Sequence, residues 1–123
     1  MKPKRIQRRR TRGWKMPKGA VYVGRPTKWG NPMRVGMYRD FTRADAVEHF
    51  KRWVNGQEAL NATEWGNGYG AELKEAIRRE LRGKSLACWC HLCERHKDGK
   101  PLGIECSACD PCHADIELEI ANS

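Results

Sequence analysis

Between Cys88 and Asp115 the chain reads CWCHLCERHKDGKPLGIECSACDPCHAD. This stretch holds all six cysteines and three of the four histidines. Cys90-x2-Cys93 and Cys106-x2-Cys109 form two short knuckles, 12 residues apart. Each knuckle offers two thiolates to one face of an ion, and four thiolates suit tetrahedral zinc. The polar link ERHKDGKPLGIE, with Gly99, Pro101 and Gly103, cannot bury a core and must have its ends tied. The spacing therefore predicts one structural Zn2+ on Cys90, Cys93, Cys106 and Cys109. Disulfides are the competing reading, but they persist in oxidising compartments, and the basic start MKPKRIQRRRTRGWK lacks the apolar run of a secretory leader. A redox dithiol would need only one knuckle.

Six cysteines exceed one tetrahedral ion. Cys88, Cys112 and His113 are left over, with His91 and His96 as spares. The surplus allows a second metal, exchange with the first four ligands, or a thiol–imidazole pair. The plainer alternative makes Cys88 a small buried hydrophobe and His113 the first residue of a helix. A second chemical group lies at GRPTKWGNP (Gly24–Pro32). Arg25 and Lys28 suit an anion, Trp29 offers a stacking face, Asn31 offers an amide, and Gly30 permits close backbone approach. That set fits a nucleotide or an unstacked base. A tight turn with Trp29 plugged into the core is the alternative.

The elements that position these groups follow from pattern. GAVYVG (Gly19–Gly24) reads as a strand, and RPTKWGNP, with two prolines, as a loop. RIQRRR is either a first strand or part of a basic arm. Thr42 is an N-cap with Asp45 three residues on, and Val47, Phe50 and Val54 stripe a helix over Arg43–Asn55. Gly56–Gly70 is a turn-rich connection. Leu73, Ile77 and Leu81 stripe a second helix, Ala71–Arg82, capped by Gly83. KSLACWC is a second strand. In HADIELEIANS, Ile116, Leu118 and Ile120 alternate as in a strand, while Ala114, Leu118 and Ala121 keep helical spacing; we favour the helix. Strand, two helices, strand is a crossover, so the strands should be parallel and end at one edge. Ligands of open α/β sheets bind at that edge. The loop after Gly24 and the CWC segment should therefore meet.

The expected architecture is a small single α/β domain over 19–123, strand–helix–helix–strand–helix with a short parallel sheet. A zinc-ribbon-like hairpin is inserted at about 90–110, and a basic arm covers 1–18. The net charge of +9 is lopsided: residues 1–39 hold 13 Lys and Arg and no acid, while the other 11 face all 15 acids. Such asymmetry points to a polyanion, and nucleic acid is the expected partner of the arm. A solvated, partly disordered arm is the alternative. No apolar run approaches a membrane span, so we expect no membrane contact and a cytoplasmic location.

With both loops in view, the chain resembles the domain-of-unknown-function family 4326, small proteins of bacteria and phages. VYVGRPTKWGNP, LACWC and PCHAD carry the resemblance. It implies family positions at Arg25, Trp29, Gly30, Asn31, Pro32, Cys88, Cys90, Cys112, His113 and Asp115, and a terminal helix. The usual core joins Cys-Trp-Cys to Pro-Cys-His-x-Asp by a few residues, so His91–Asp110 is an insertion that brings Cys93, Cys106 and Cys109.

Three functional readings compete. The first is a zinc-stabilised binding protein for nucleic acid or its machinery, in a bacterial or phage setting. The second is a small enzyme on a nucleotide, nucleoside or base, with Cys88 or Cys112 as nucleophile, His113 as base or ligand, Asp115 orienting and Arg25 clamping an anion. The third is a protein-binding adaptor that uses the hairpin. No Walker loop, dinucleotide fingerprint, His-Glu-x-x-His or deaminase His-x-Glu element is present.

Overall fold

The computed structural model describes residues 3–33, 39–63 and 65–123. Met1 and Lys2 of the basic stretch and Glu64 of the turn-rich connection lie outside the described residues. The chain is a small α/β domain, as the pattern predicts, but its short sheet is mixed rather than parallel throughout, because residues Lys100–Pro101 add an antiparallel strand. In order come β1 (Lys4–Gln7), β2 (Val21–Tyr22), α1 (Arg43–Val54), β3 (Leu60–Thr63), β4 (Gly66–Gly68), α2 (Ala71–Glu80), β5 (Leu86–Cys88), β6 (Lys100–Pro101) and α3 (His113–Ala121). The main sheet runs β2-β5-β1-β6. β2 and β1 both lie parallel to β5, and β6 is antiparallel to β1.

The parallel pairing sets Val21 opposite Leu86 and Tyr22 opposite Ala87. The loop after β2 and the CWC segment after β5 thus leave the same edge. Lys4–Gln7, within the basic stretch 1–18, forms an inner strand between β5 and β6. Ile6 and Arg5 are buried there, and Arg9, Arg10, Arg12, Lys15 and Lys18 follow on the surface. The segment between His91 and Asp110 is also part of the sheet, because β6 comes from it.

The helices follow their caps and stripes. The Thr42 hydroxyl accepts from the Asp45 N–H, and the Asp45 carboxylate accepts from the Thr42 N–H, a capping box that starts α1. Ala46, Phe50, Trp53 and Val54 form its buried face. α2 buries Leu73, Ala76 and Ile77. In the last segment helical spacing wins: Ala114, Leu118 and Ala121 are all buried in α3. Nine residues are too few to hold a helix in water, so packing against α2, α1 and β5 decides the outcome. One core joins Val23, Phe50, Trp53, Leu73, Ile77, Leu81, Leu86 and Leu118.

The turn-rich connection contains the β3–β4 hairpin. Trp65 sits at its turn and donates from Nε1 to the Lys28 carbonyl at 2.9 Å. Its ring lies 6.4 Å from that of Trp29. The hairpin therefore braces the loop after β2 from outside. Among the described residues, no helix is long and apolar enough to cross a membrane.

Candidate metal centres and the sheet-edge cavity

The sulfur atoms divide into two groups. Cys93, His96, Cys106 and Cys109 bring four ligand atoms within 4.8 Å of one another. Zn–S and Zn–N bonds of ordinary length imply tetrahedron edges of about 3.8 Å for S···S and about 3.5 Å for S···N. The Cys93–Cys106 sulfurs are 3.8 Å apart. His96 Nδ1 lies 3.4 Å from Cys93 Sγ and 3.5 Å from Cys109 Sγ. The four atoms already have the dimensions of one site built from three sulfurs and a nitrogen.

Three of the four expected knuckle ligands meet here, and Cys90 does not. Cys93 precedes a 3-10 turn over Glu94–His96. Side chains three apart eclipse in that geometry, so His96 folds back onto the side of Cys93. The Cys93-x2-His96 spacing was a legible signal, overshadowed by Cys90-x2-Cys93. The Cys93 N–H donates to Cys109 Sγ at 3.3 Å, and the Asp110 N–H donates to the His91 carbonyl at 2.9 Å, closing the loop. Cys106 is pulled down to about 6, first by the Ala108 N–H and then by neighbouring thiols and amides. A thiol so placed is ready to ligate as thiolate.

Cys90 belongs to the second group, with Cys88 and Cys112. Cys88 ends β5 and Cys90 lies in the bend just after it, and their sulfurs come together there. Cys112 is the N-cap of α3, and its sulfur accepts from the Ala114 N–H at 3.5 Å. Cys112 Sγ donates to Cys88 Sγ at 3.0 Å. Arg43 Nη1 donates to Cys90 Sγ at 3.2 Å. Hydrogen bonds from Cys112 and Cys88, then the Arg43 charge, lower Cys90 strongly. Hydrogen bonding with Cys112 and Cys90, then burial, raises Cys88, and burial raises Cys112. These contacts favour the thiolate form at Cys90 over Cys88 and Cys112.

His113 opens α3 beside them. Its Nε2 is 2.8 Å from the Val23 carbonyl. A carbonyl only accepts, so Nε2 carries the proton and Nδ1 keeps its lone pair in the neutral ring. Nδ1 lies 3.8 Å from Cys112 Sγ. Asp115 is not the group that orients this ring. Its two oxygens meet Arg5 Nη1 at 2.8 Å and Lys100 Nζ at 3.0 Å. Buried Arg5 also donates to the carbonyls of Cys90 and His91. It fixes the chain just after β5, where the trio forms. The Arg5 guanidinium is held charged: burial opposes the charge, and the Asp115 carboxylate bonded to it favours it.

A cavity of about 250 Å³ opens over the trio. Arg25, Asn31, Arg43, Cys88, Cys112 and His113 are among its walls, so the two sheet-edge loops do meet. Trp29 and Lys28 do not line it. Trp29 is buried in the core, and Lys28 turns to Glu80 at 2.9 Å with its ammonium over the Trp29 ring. Asn31 is a brace. Its Nδ2 donates to the Ala46 carbonyl and its Oδ1 accepts from the Met33 N–H, tying the loop to α1. A Cβ at Gly30 would stand 2.8 Å from Arg25 Cγ, so glycine lets the loop close on Arg25. Of the four loop residues, Arg25 and Asn31 reach the cavity.

The fold and these clusters define a cysteine-rich α/β protein with two potential metal centres at and beside one sheet edge. The chain belongs to a family described as a domain of unknown function, DUF4326, whose model matches residues 6–123. No curated protein and no solved structure matches it.

Proposed function

We propose that this is a zinc protein that engages single-stranded nucleic acid. Zinc on Cys93, His96, Cys106 and Cys109 would be structural, since four protein atoms leave no open position. The spacing of the three sulfurs and the His96 nitrogen supports that half of the reading. The nucleic-acid half rests on the surface formed by β1 and its continuation.

The carrying observation is the pairing of guanidinium groups with a half-exposed indole. Trp89, 41 % exposed, has Arg8 4.8 Å and Arg10 4.9 Å from its ring centre. Arg8 also lies 4.5 Å from the Tyr22 ring. Exposed Arg9, Arg12, Lys15 and Lys18 extend the charge along the same segment. Stacking faces interleaved with cations suit unpaired bases on a phosphate chain, with little sequence preference. Duplex would use the charge alone.

The test is binding of fluorescent single-stranded and duplex oligonucleotides across a salt series. Tighter binding to single strands, a steep salt slope and quenching of tryptophan emission are expected. Trp89→Ala should weaken single-strand binding about tenfold, the scale of one stacked base. Absence of salt-dependent binding to any nucleic acid would overturn the reading.

A further inference from the structure

We propose that Cys88, Cys90 and Cys112 form a second metal site with an open fourth position, which takes a small oxyanion from the cavity above it. This site is distinct from the hairpin zinc, and its cavity shares Tyr22 and Trp89 with the surface proposed for nucleic acid.

Three thiolates suit a divalent, borderline-soft ion such as Zn2+. All three sulfurs lie within 4.8 Å of one another, and all three residues face the cavity. Cys88 and Cys112 are otherwise buried, at 2 % and 1 % exposure. Closing around an ion would move their sulfurs apart from 3.0 Å toward the roughly 3.8 Å edge of a thiolate tetrahedron. Zinc entry displaces the remaining thiol protons to solvent.

The fourth position is left to the cavity by exclusion. On the protein side sits the Arg5 guanidinium, which has no lone pair and so cannot ligate. It is not among the cavity walls. His113 is the nearest other donor. Its Nε2–H is held by the Val23 carbonyl, and its Nδ1 does not join the three-sulfur group.

The charges fit an anion. Three thiolates and one Zn2+ leave a single negative charge, with Arg43 on Cys90 and Arg5 behind to offset it. Arg25, exposed on the cavity wall, makes no ion pair among the described residues. An oxyanion entering the cavity would meet the metal and Arg25, with Arg43 donors left over from the single bond to sulfur. A structural site has its four protein ligands, whereas a site with three keeps one position for exchange.

The test uses the full chain carrying Cys93→Ser and Cys106→Ser, so that only the sheet-edge site remains. Reduced protein is titrated with Co2+, whose spectrum counts thiolates and reports geometry. One Co2+ per chain is expected, with intense thiolate charge-transfer absorption and tetrahedral visible bands. Adding inorganic phosphate, or azide as a second anion, should shift the visible bands. Arg25→Gln should weaken the phosphate effect several-fold without loss of cobalt. Cys88→Ser in the same background should abolish the site. Failure of a folded double-serine variant to bind cobalt would overturn the proposal, as would visible bands that no anion moves. If the double-serine chain does not fold, the unmodified protein answers. Two Co2+ per chain are expected, with one set of bands moved by phosphate and the other fixed; a single Co2+, or two sets that are both fixed, rejects the site.

Discussion

Arg5 Nη1 lies 2.8 Å from Asp115 Oδ2, joining the first strand to the last helix across 110 residues of chain. The guanidinium is 1 % exposed and the carboxylate 29 %. Removing one partner of a buried pair leaves the other desolvated and unpaired. Asp115→Asn should therefore destabilise the fold by roughly 3 kcal/mol. Lys100 loses its ionic partner as well and keeps the Ile104 carbonyl. Denaturant unfolding at fixed zinc reads the loss. A change indistinguishable from zero would mean that the carbonyls of Cys90 and His91 hold Arg5 alone.

The hairpin site makes a prediction that separates it from a four-cysteine ribbon. His96→Ala should cost the hairpin zinc, lowering bound zinc by one equivalent, while far-UV circular dichroism keeps its helical signal. His96→Cys should restore it, since thiolate serves zinc as well as imidazole. Cys90→Ser should spare the hairpin zinc. Loss of that zinc from Cys90→Ser, with retention in His96→Ala, would return Cys90 to the ribbon.

Neutralising Arg9, Arg10 and Arg12 to Gln should weaken binding to single strands and reduce the salt slope by about 2. Removal of the whole stretch would be a poor test, because Lys4–Gln7 is a strand of the sheet. An unchanged slope would place the phosphate contacts elsewhere.

Glu117 gives a pH prediction. It is fully buried in α3, and neither carboxyl oxygen has a hydrogen-bond partner among the described residues. Burial raises it from 4.5 to about 8, against a smaller opposing pull from His113. The unfolded chain loses this proton as pH rises past about 4.5, while the folded chain keeps it until about 8. Its contribution to stability should fall across that interval and level off above it. Glu117→Gln should flatten this part of the profile and leave the variant the more stable form at pH 8. Parallel profiles for the two proteins would refute the assignment.

Local signals were legible in the sequence wherever neighbours decide the outcome. Thr42 and Asp45 announced α1, and the apolar stripe at Leu73 and Ile77 announced α2. The parallel pairing of β2 with β5 followed from the connection between them. KSLACWC was legible as a strand, but the Cys-x2-Cys spacing grouped Cys90 with Cys93, Cys106 and Cys109, whereas the fold gathers it with Cys88 and Cys112. His96 joined the site through a three-residue turn whose tightness no periodicity reveals. Trp29 was open between stacking and packing, and only tertiary contact with Trp65 and the core could decide. β1 was equally open, because its burial depends on β5 and β6, far away in sequence.

That remoteness bears on how the chain acquires its form. Lys4 N–H reaches Ser85 Oγ over 81 residues, and β1 pairs with β5 and β6. Helices α1 and α2 and the β3–β4 hairpin can form from contacts close in sequence. The sheet must wait for loop closure over most of the chain, an entropic cost met before any long-range contact repays it. Until then β1 is an unpaired cationic ribbon and the sulfur residues are scattered along an open chain. Sheet closure and gathering of the thiols at the edge are therefore one late event. A chain stalled before it would expose reactive cysteines and a bare strand edge together, the combination most prone to aggregation and wrong cross-linking.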